Sequence, residues 1–197
     1  MKKILILVSI VTLGFVSIAS ADPVSGPSPV DNGSWFMQVN GDTSFPTANL
    51  ANQVNQGWGG EGSIGFRFPQ NFDLSVESGN DTYSTKKGNN TGMWNMVPLV
   101  MKLQYNVGQA ATKPYLFVAG GFAFNSKSSN YFFGQNSPTS ETDFLEEGGV
   151  GLSFDLMSGS IFFVQGKIEV DNTTGAYASD VPTIVFPINI GWKFSLD

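Results

Sequence analysis

Eight stretches of this chain alternate residue by residue between a greasy face and a small or polar one, and no long helical pattern competes with them. They run over about 34–45, 57–68, 72–83, 93–106, 114–125, 143–155, 160–171 and 183–194. The last reads TIVFPINIGWKF. One face carries Ile184, Phe186, Ile188, Ile190, Trp192 and Phe194; the other carries Thr183, Val185, Pro187, Asn189, Gly191 and Lys193. A period of two marks a β-strand between two unlike environments. It does not say which environment lies inside. In a soluble barrel or sandwich the greasy face points to the core; in a membrane barrel it points to lipid.

The connections separate the two cases. Residues 69–71, 107–113 and 156–159 make short links, whereas 46–56, 84–92, 126–142 and 172–182 make longer polar ones, and the two kinds alternate. An up-and-down barrel with all its tight turns at one end and all its long loops at the other has this pattern. Segment lengths fit the roughly 9–11 residues of a tilted membrane-spanning strand. The predicted fold is all-β: an eight-stranded antiparallel up-and-down transmembrane β-barrel over 34–197.

Composition points the same way. Charged residues are 13% of the chain, against about 25–35% expected on a soluble surface. The N-terminus has Lys2 and Lys3, an apolar run from Ile4 to Ile18, and then Ala19, Ser20 and Ala21. This predicts a signal peptide over 1–21, cleaved before Asp22, and export. Residues 22–33 are rich in Pro, Gly and Ser and read as a flexible leader. The net charge of −6 argues against nucleic acid as a partner. With no cysteine, the fold is held without disulfides.

Aromatic residues gather near the segment ends. Trp35, Phe68, Phe72, Tyr105, Tyr115, Phe154, Phe162, Trp192 and Phe194 fall towards the short turns; Phe45, Trp58, Tyr83, Trp94, Phe124 and Phe144 fall towards the long loops. Two such belts suit the headgroup levels of a bilayer. With these features the chain resembles the small bacterial outer-membrane β-barrels of the OmpA barrel, OmpX or OmpW type. The sharpest match is the C-terminal stretch, where Asn189, Gly191, Phe194 and Leu196 fit the family's assembly signal. The resemblance implies a place in the bacterial outer membrane, contact with its lipid and lipopolysaccharide, and insertion by the barrel-assembly machinery. A closed barrel has no free edge, so a monomer is expected. Pro98 and Pro187 fall inside strands, where a bulge or a lumen water would serve the orphaned carbonyl. Glu146 falls on the greasy face and is expected above the apolar band.

The chemistry is narrow. There is no histidine, and the family's barrel enzymes commonly rely on one as general base. No catalytic site, cofactor or metal site is expected; Asp42, Asp81, Glu141 and Asp143 read as solvated loop carboxylates, with weak Ca²⁺ binding as the alternative. The inward face carries Glu61, Arg67, Asp73, Glu77, Lys102, Glu147, Lys167, Glu169 and Lys193. Buried charges need partners, so this set predicts an ion-pair network plugging a narrow lumen. Tyr131, Phe132 and Phe133, in the loop SKSSNYFFGQNSPTSET, are a candidate contact surface for a host or extracellular ligand. The expected role is structural or adhesin-like. The alternatives are a narrow channel for small or hydrophobic solutes and a soluble, secreted lipocalin-like ligand binder.

Overall fold

The computed structural model describes residues 33–84, 86, 93–108, 110–127, 139–156, 159–172 and 183–196. Eight strands, β1 (Ser34–Pro46), β2 (Gly57–Arg67), β3 (Phe72–Ser84), β4 (Met93–Asn106), β5 (Thr112–Lys127), β6 (Thr139–Asp155), β7 (Ser160–Asn172) and β8 (Thr183–Ser195), form one closed antiparallel barrel in chain order. One helical turn, α1 (Ala48–Ala51), lies between β1 and β2. The strand bounds follow the alternation closely except around the third long loop. There β5 runs on to Lys127 and β6 begins at Thr139, so the expected loop 126–142 loses both ends to the ladder. Its candidate contact residues Tyr131, Phe132 and Phe133 lie outside the described residues, as do the expected signal peptide and nearly all of the expected leader.

Register fixes the stagger of the barrel. From Asp42 one route passes Gly59, Asp81, Met96 and Asn125 to Glu141 on β6. The other passes Asn189 and Gln165 to Gly151 on the same strand, ten residues further along. A stagger of that size tilts eight strands by about 35–45° and leaves an interior that side chains can fill. Among the described residues, each short turn has a left-handed residue: Asn71 (φ 66°), Gly108 (φ 81°) and Gly159 (φ 77°). These are the residue types that reach positive φ most cheaply.

The exposed face is the greasy one. Trp35, Val39, Ile64, Val76, Met101, Leu103, Val118, Phe122, Leu152, Ile188, Ile190 and Trp192 all point out of the barrel. Inside lie Lys102, Gln165, Glu77, Glu169 and Asn189, each 2% exposed or less. A lipocalin-like binder would have the reverse arrangement. Three aromatics read as girdle residues do not belong to a girdle: Tyr83, Trp94 and Tyr115 are buried in the lumen. They occupy inward positions of their strands, and Tyr83 stacks on Trp94 at 4.6 Å.

Lumen glycines explain how rings fit inside so narrow a barrel. Gly65, Gly149, Gly151 and Gly191 lie directly across from Phe36, Phe117, Tyr115 and Phe163. A Cβ at any of the four would stand within 2.7 Å of the opposing ring. Each ring therefore occupies the space its glycine partner leaves open, a cross-strand pairing that compensates for the missing side chain.

Neither proline makes a bulge. The β3–β4 register is the same on both sides of Pro98, and the β7–β8 register is the same on both sides of Pro187. The ladders simply open there, and the Ser78 hydroxyl donates to the Pro98 carbonyl at 2.8 Å. Glu146 faces outward, opposite Gly120 and Val170, but Phe144 lies one step nearer the loop end. It is therefore within the aromatic belt rather than above it. At the loop end the α1 segment folds inward. Leu50 and Val54 pack with Tyr83, Trp94, Met96, Leu145 and Val185 as an apolar cap on the lumen. Thr47 ties the cap to β8, its amide and its hydroxyl both donating to the Ile184 carbonyl.

Candidate functional site

Strand parity brings the nine charged residues singled out in the sequence to the inner wall, and the register sorts them into three tiers. At the short-turn end Asp73 is the hub. Arg67 grips both its oxygens at 2.9 and 3.1 Å, and Lys193, crossing from β8, reaches Oδ2 at 2.8 Å. Arg67 and Asp73 are direct cross-strand partners. Lys193 also stands 4.4 Å over the Phe36 ring, a favourable place for a cation. On the rim outside, Lys113 pairs with Asp155 at 2.7 Å.

The middle tier is built on Lys102. Its ammonium meets Glu77 at 3.1 Å and the Gln165 side-chain oxygen at 3.4 Å, and lies 4.4 Å over Phe117. The Tyr115 hydroxyl donates to the same Gln165 oxygen at 3.1 Å.

The tier nearest the loops is built on Lys167. This ammonium contacts Glu61, Glu169 at 2.7 Å and Glu147 at 3.5 Å, and all four side chains are shut off from solvent. Asn40 and Asn189 donate to the second Glu61 oxygen, each at 3.1 Å. Such shared donors are what keep buried charges tolerable.

Several members of the wall were not recognisable as such from the sequence. Asp42, Asp81 and Asp143 are not solvated loop acids; they sit inside β1, β3 and β6, buried and facing inward. Glu141 lies in β6 as well, at intermediate exposure. Asp42, Glu61 and Asp81 each bring a carboxylate oxygen within 4.8 Å of the others. Asn125 donates to Asp143 and Asp171, both at 2.9 Å, and accepts from the Trp94 indole at 3.0 Å. Parity would have placed these acids inside; nearness to loop ends argued, wrongly, for solvent. Of the C-terminal stretch, Asn189 and Gly191 face the lumen, where Gly191 leaves room for Phe163, while Phe194 and Leu196 are exposed.

Chemically, the wall has carboxylates, ammoniums and amides but no histidine or cysteine. Its side chains pair with one another across the barrel. No protein-family model and no curated protein matches the sequence. Solved structures do match the fold. Neisserial surface protein A (NspA) aligns over 84% of this chain and all of its own, with a TM-score of 0.61 and 14% identity. Ail, the attachment invasion locus protein of Yersinia pestis, solved in complex with the heparin analogue sucrose octasulfate, aligns over 82% of this chain and 99% of its own (TM-score 0.51, 13% identity). A major outer membrane protein from Thermus thermophilus aligns over 82% and 99% (TM-score 0.50, 12% identity). At these identities the likeness is one of fold: a small, closed, eight-stranded antiparallel barrel.

Proposed function

We propose that this protein spans the bacterial outer membrane as a barrel with a plugged lumen and acts through the long loops it presents outside. The reading rests on one observation. Seven of the eight strands expose large apolar side chains on their greasy face, β7 keeps its own half-buried, and the charged face is packed inside. Water would penalise that arrangement by about 25 cal/mol for each Å² of apolar surface left wet; lipid removes the penalty. The three short turns then face the periplasm, and the loops 47–56, 85–92, 128–138 and 173–182 face outward. Phe194 and Leu196, exposed beside the last turn of the ladder, are available to the assembly machinery, whereas Asn189 and Gly191 of the same signal are turned to the lumen in the folded barrel.

A non-catalytic, surface-contact role fits the loops better than transport or chemistry fits the lumen. Two of the four loops carry no charged residue, and a third has only Asp180. A polyanion such as the heparin analogue bound to Ail would find little basic charge here beyond Lys86 and Lys87. The loop aromatics and amides, with Tyr131, Phe132 and Phe133 foremost, suit a neutral or apolar partner. Cells expressing the full chain and a variant lacking 128–138 should be compared for binding to host cells and matrix. The proposal expects the barrel in the outer-membrane fraction in both strains, with a gel mobility that changes on boiling, and binding lost only in the deletion. Recovery of the protein in the soluble fraction would overturn the membrane assignment, and undiminished binding the loop assignment.

A further inference from the structure

Asp42, Gly59 and Asp81 stand in one row across β1, β2 and β3. Because Gly59 has no side chain, the two carboxylates lean together over its Cα. A Cβ there would meet Asp42 Oδ2 at 2.9 Å and would collide with Asp81 Oδ1. Asp81 is 1% exposed, and neither of its oxygens has a hydrogen-bond donor. Asp42 Oδ2 lacks one too, while Oδ1 accepts from Ser44 at 3.1 Å. The Glu61 carboxylate completes a triad whose oxygens lie within 4.8 Å of one another.

The nearest protein cation acts on this pair only from a distance and pairs directly with other carboxylates. Lys167 is the ammonium of this tier, and Glu61, Glu147 and Glu169 share it. Among the described residues no ion pair reaches Asp42 or Asp81. Two buried carboxylates this close cannot both stay ionised without positive charge between them. Oxygens up to 4.8 Å apart can both bind an ion whose ligand distances are about 2.3–2.6 Å, the range of Ca²⁺. Carboxylates without histidine or thiolate suit a hard divalent ion rather than zinc or copper.

We propose that the loop-side half of the lumen binds one Ca²⁺, held by Asp42 and Asp81 over Gly59 with Glu61 as the third protein ligand. The ion ties β1 to β3 directly beneath the apolar cap of Leu50 and Val54. This inference rests on the barrel itself, and not on the surface-contact role of the loops.

The test uses the refolded full chain, stripped with a chelator and titrated with CaCl2 by calorimetry and with Tb³⁺ by sensitised luminescence. Tyr83, two residues from Asp81 and stacked on Trp94, places an energy donor beside the site. The proposal expects one saturable site, affinity at least tenfold weaker in Asp81→Asn and Asp42→Asn, and no change in Asp155→Asn at the far rim. Terbium emission excited through tryptophan should fall in Trp94→Phe, a variant outside the ligand set, which keeps the test decisive if the aspartate variants fail to refold. Absence of saturable uptake by the wild-type chain would overturn the proposal, as would uptake insensitive to both aspartate variants or emission insensitive to Trp94→Phe. Asp81→Asn raising the unfolding midpoint with no ion bound by the wild type would show instead that the two aspartates share a proton.

Discussion

Lys167 is the residue on which the most buried charge depends. Its ammonium is the common partner of Glu61, Glu147 and Glu169, all inaccessible to water. Removing one member of a buried charged set strands the rest, at a cost of about 3–5 kcal/mol. Lys167→Met should therefore destabilise the folded barrel by several kcal/mol, read as a lower urea midpoint in vesicles. Lys113→Ala, which removes a partly exposed rim pair with Asp155, should cost no more than about 1 kcal/mol. Equal effects of the two substitutions would contradict the burial argument. The sequence reveals these charges by parity, because Lys167 and Glu169 alternate with apolar neighbours. It cannot reveal that Lys167 meets Glu61, which lies 106 positions away. That contact depends on closure and stagger, which local patterns do not encode.

The glycine-rich inner face is settled by pairs of strands. Alternation places Gly149 and Gly191 inward, and the ladder adds that each faces an aromatic ring. Gly149→Val would collide with the Gly166 carbonyl and with Phe117, and should push that ring from its seat together with the Lys102 ammonium above it. Overpacking of this kind costs about 1–3 kcal/mol, readable as a lower unfolding midpoint; an unchanged midpoint would mean the ring is not held there. The prolines show a different limit of sequence reading. At Pro187 the sequence suggests a bulge or a lumen water, yet the register runs through unshifted and only the ladder to β7 opens. Pro187→Ala should restore a donor on that side and leave stability unchanged or raised by about 1 kcal/mol; a large loss would show that the ring itself packs the lumen. The turn-side girdle is largely legible from sequence. Tyr83 and Trp94 are not, because parity decides their face and position along the strand does not.

For the molecule as a whole, three ion-pair tiers and the apolar cap of Leu50 and Val54 lie across the lumen among the described residues. Purified protein in a planar bilayer should show no steady channel openings, and reproducible openings would revive the narrow-channel alternative. The order and direction of the strands are readable from loop lengths alone, because short and long links alternate in this way when turns sort to opposite ends. Which face meets lipid is the central claim, and the tryptophans report it directly. Trp35, Trp58 and Trp192 point outward, with Trp58 65% exposed, whereas Trp94 is 3% exposed inside the lumen. Variants retaining only Trp192 or only Trp94 can be refolded into vesicles of brominated lipid. The account predicts strong quenching of Trp192 and little of Trp94; equal quenching of the two, or quenching of Trp94 alone, would contradict it.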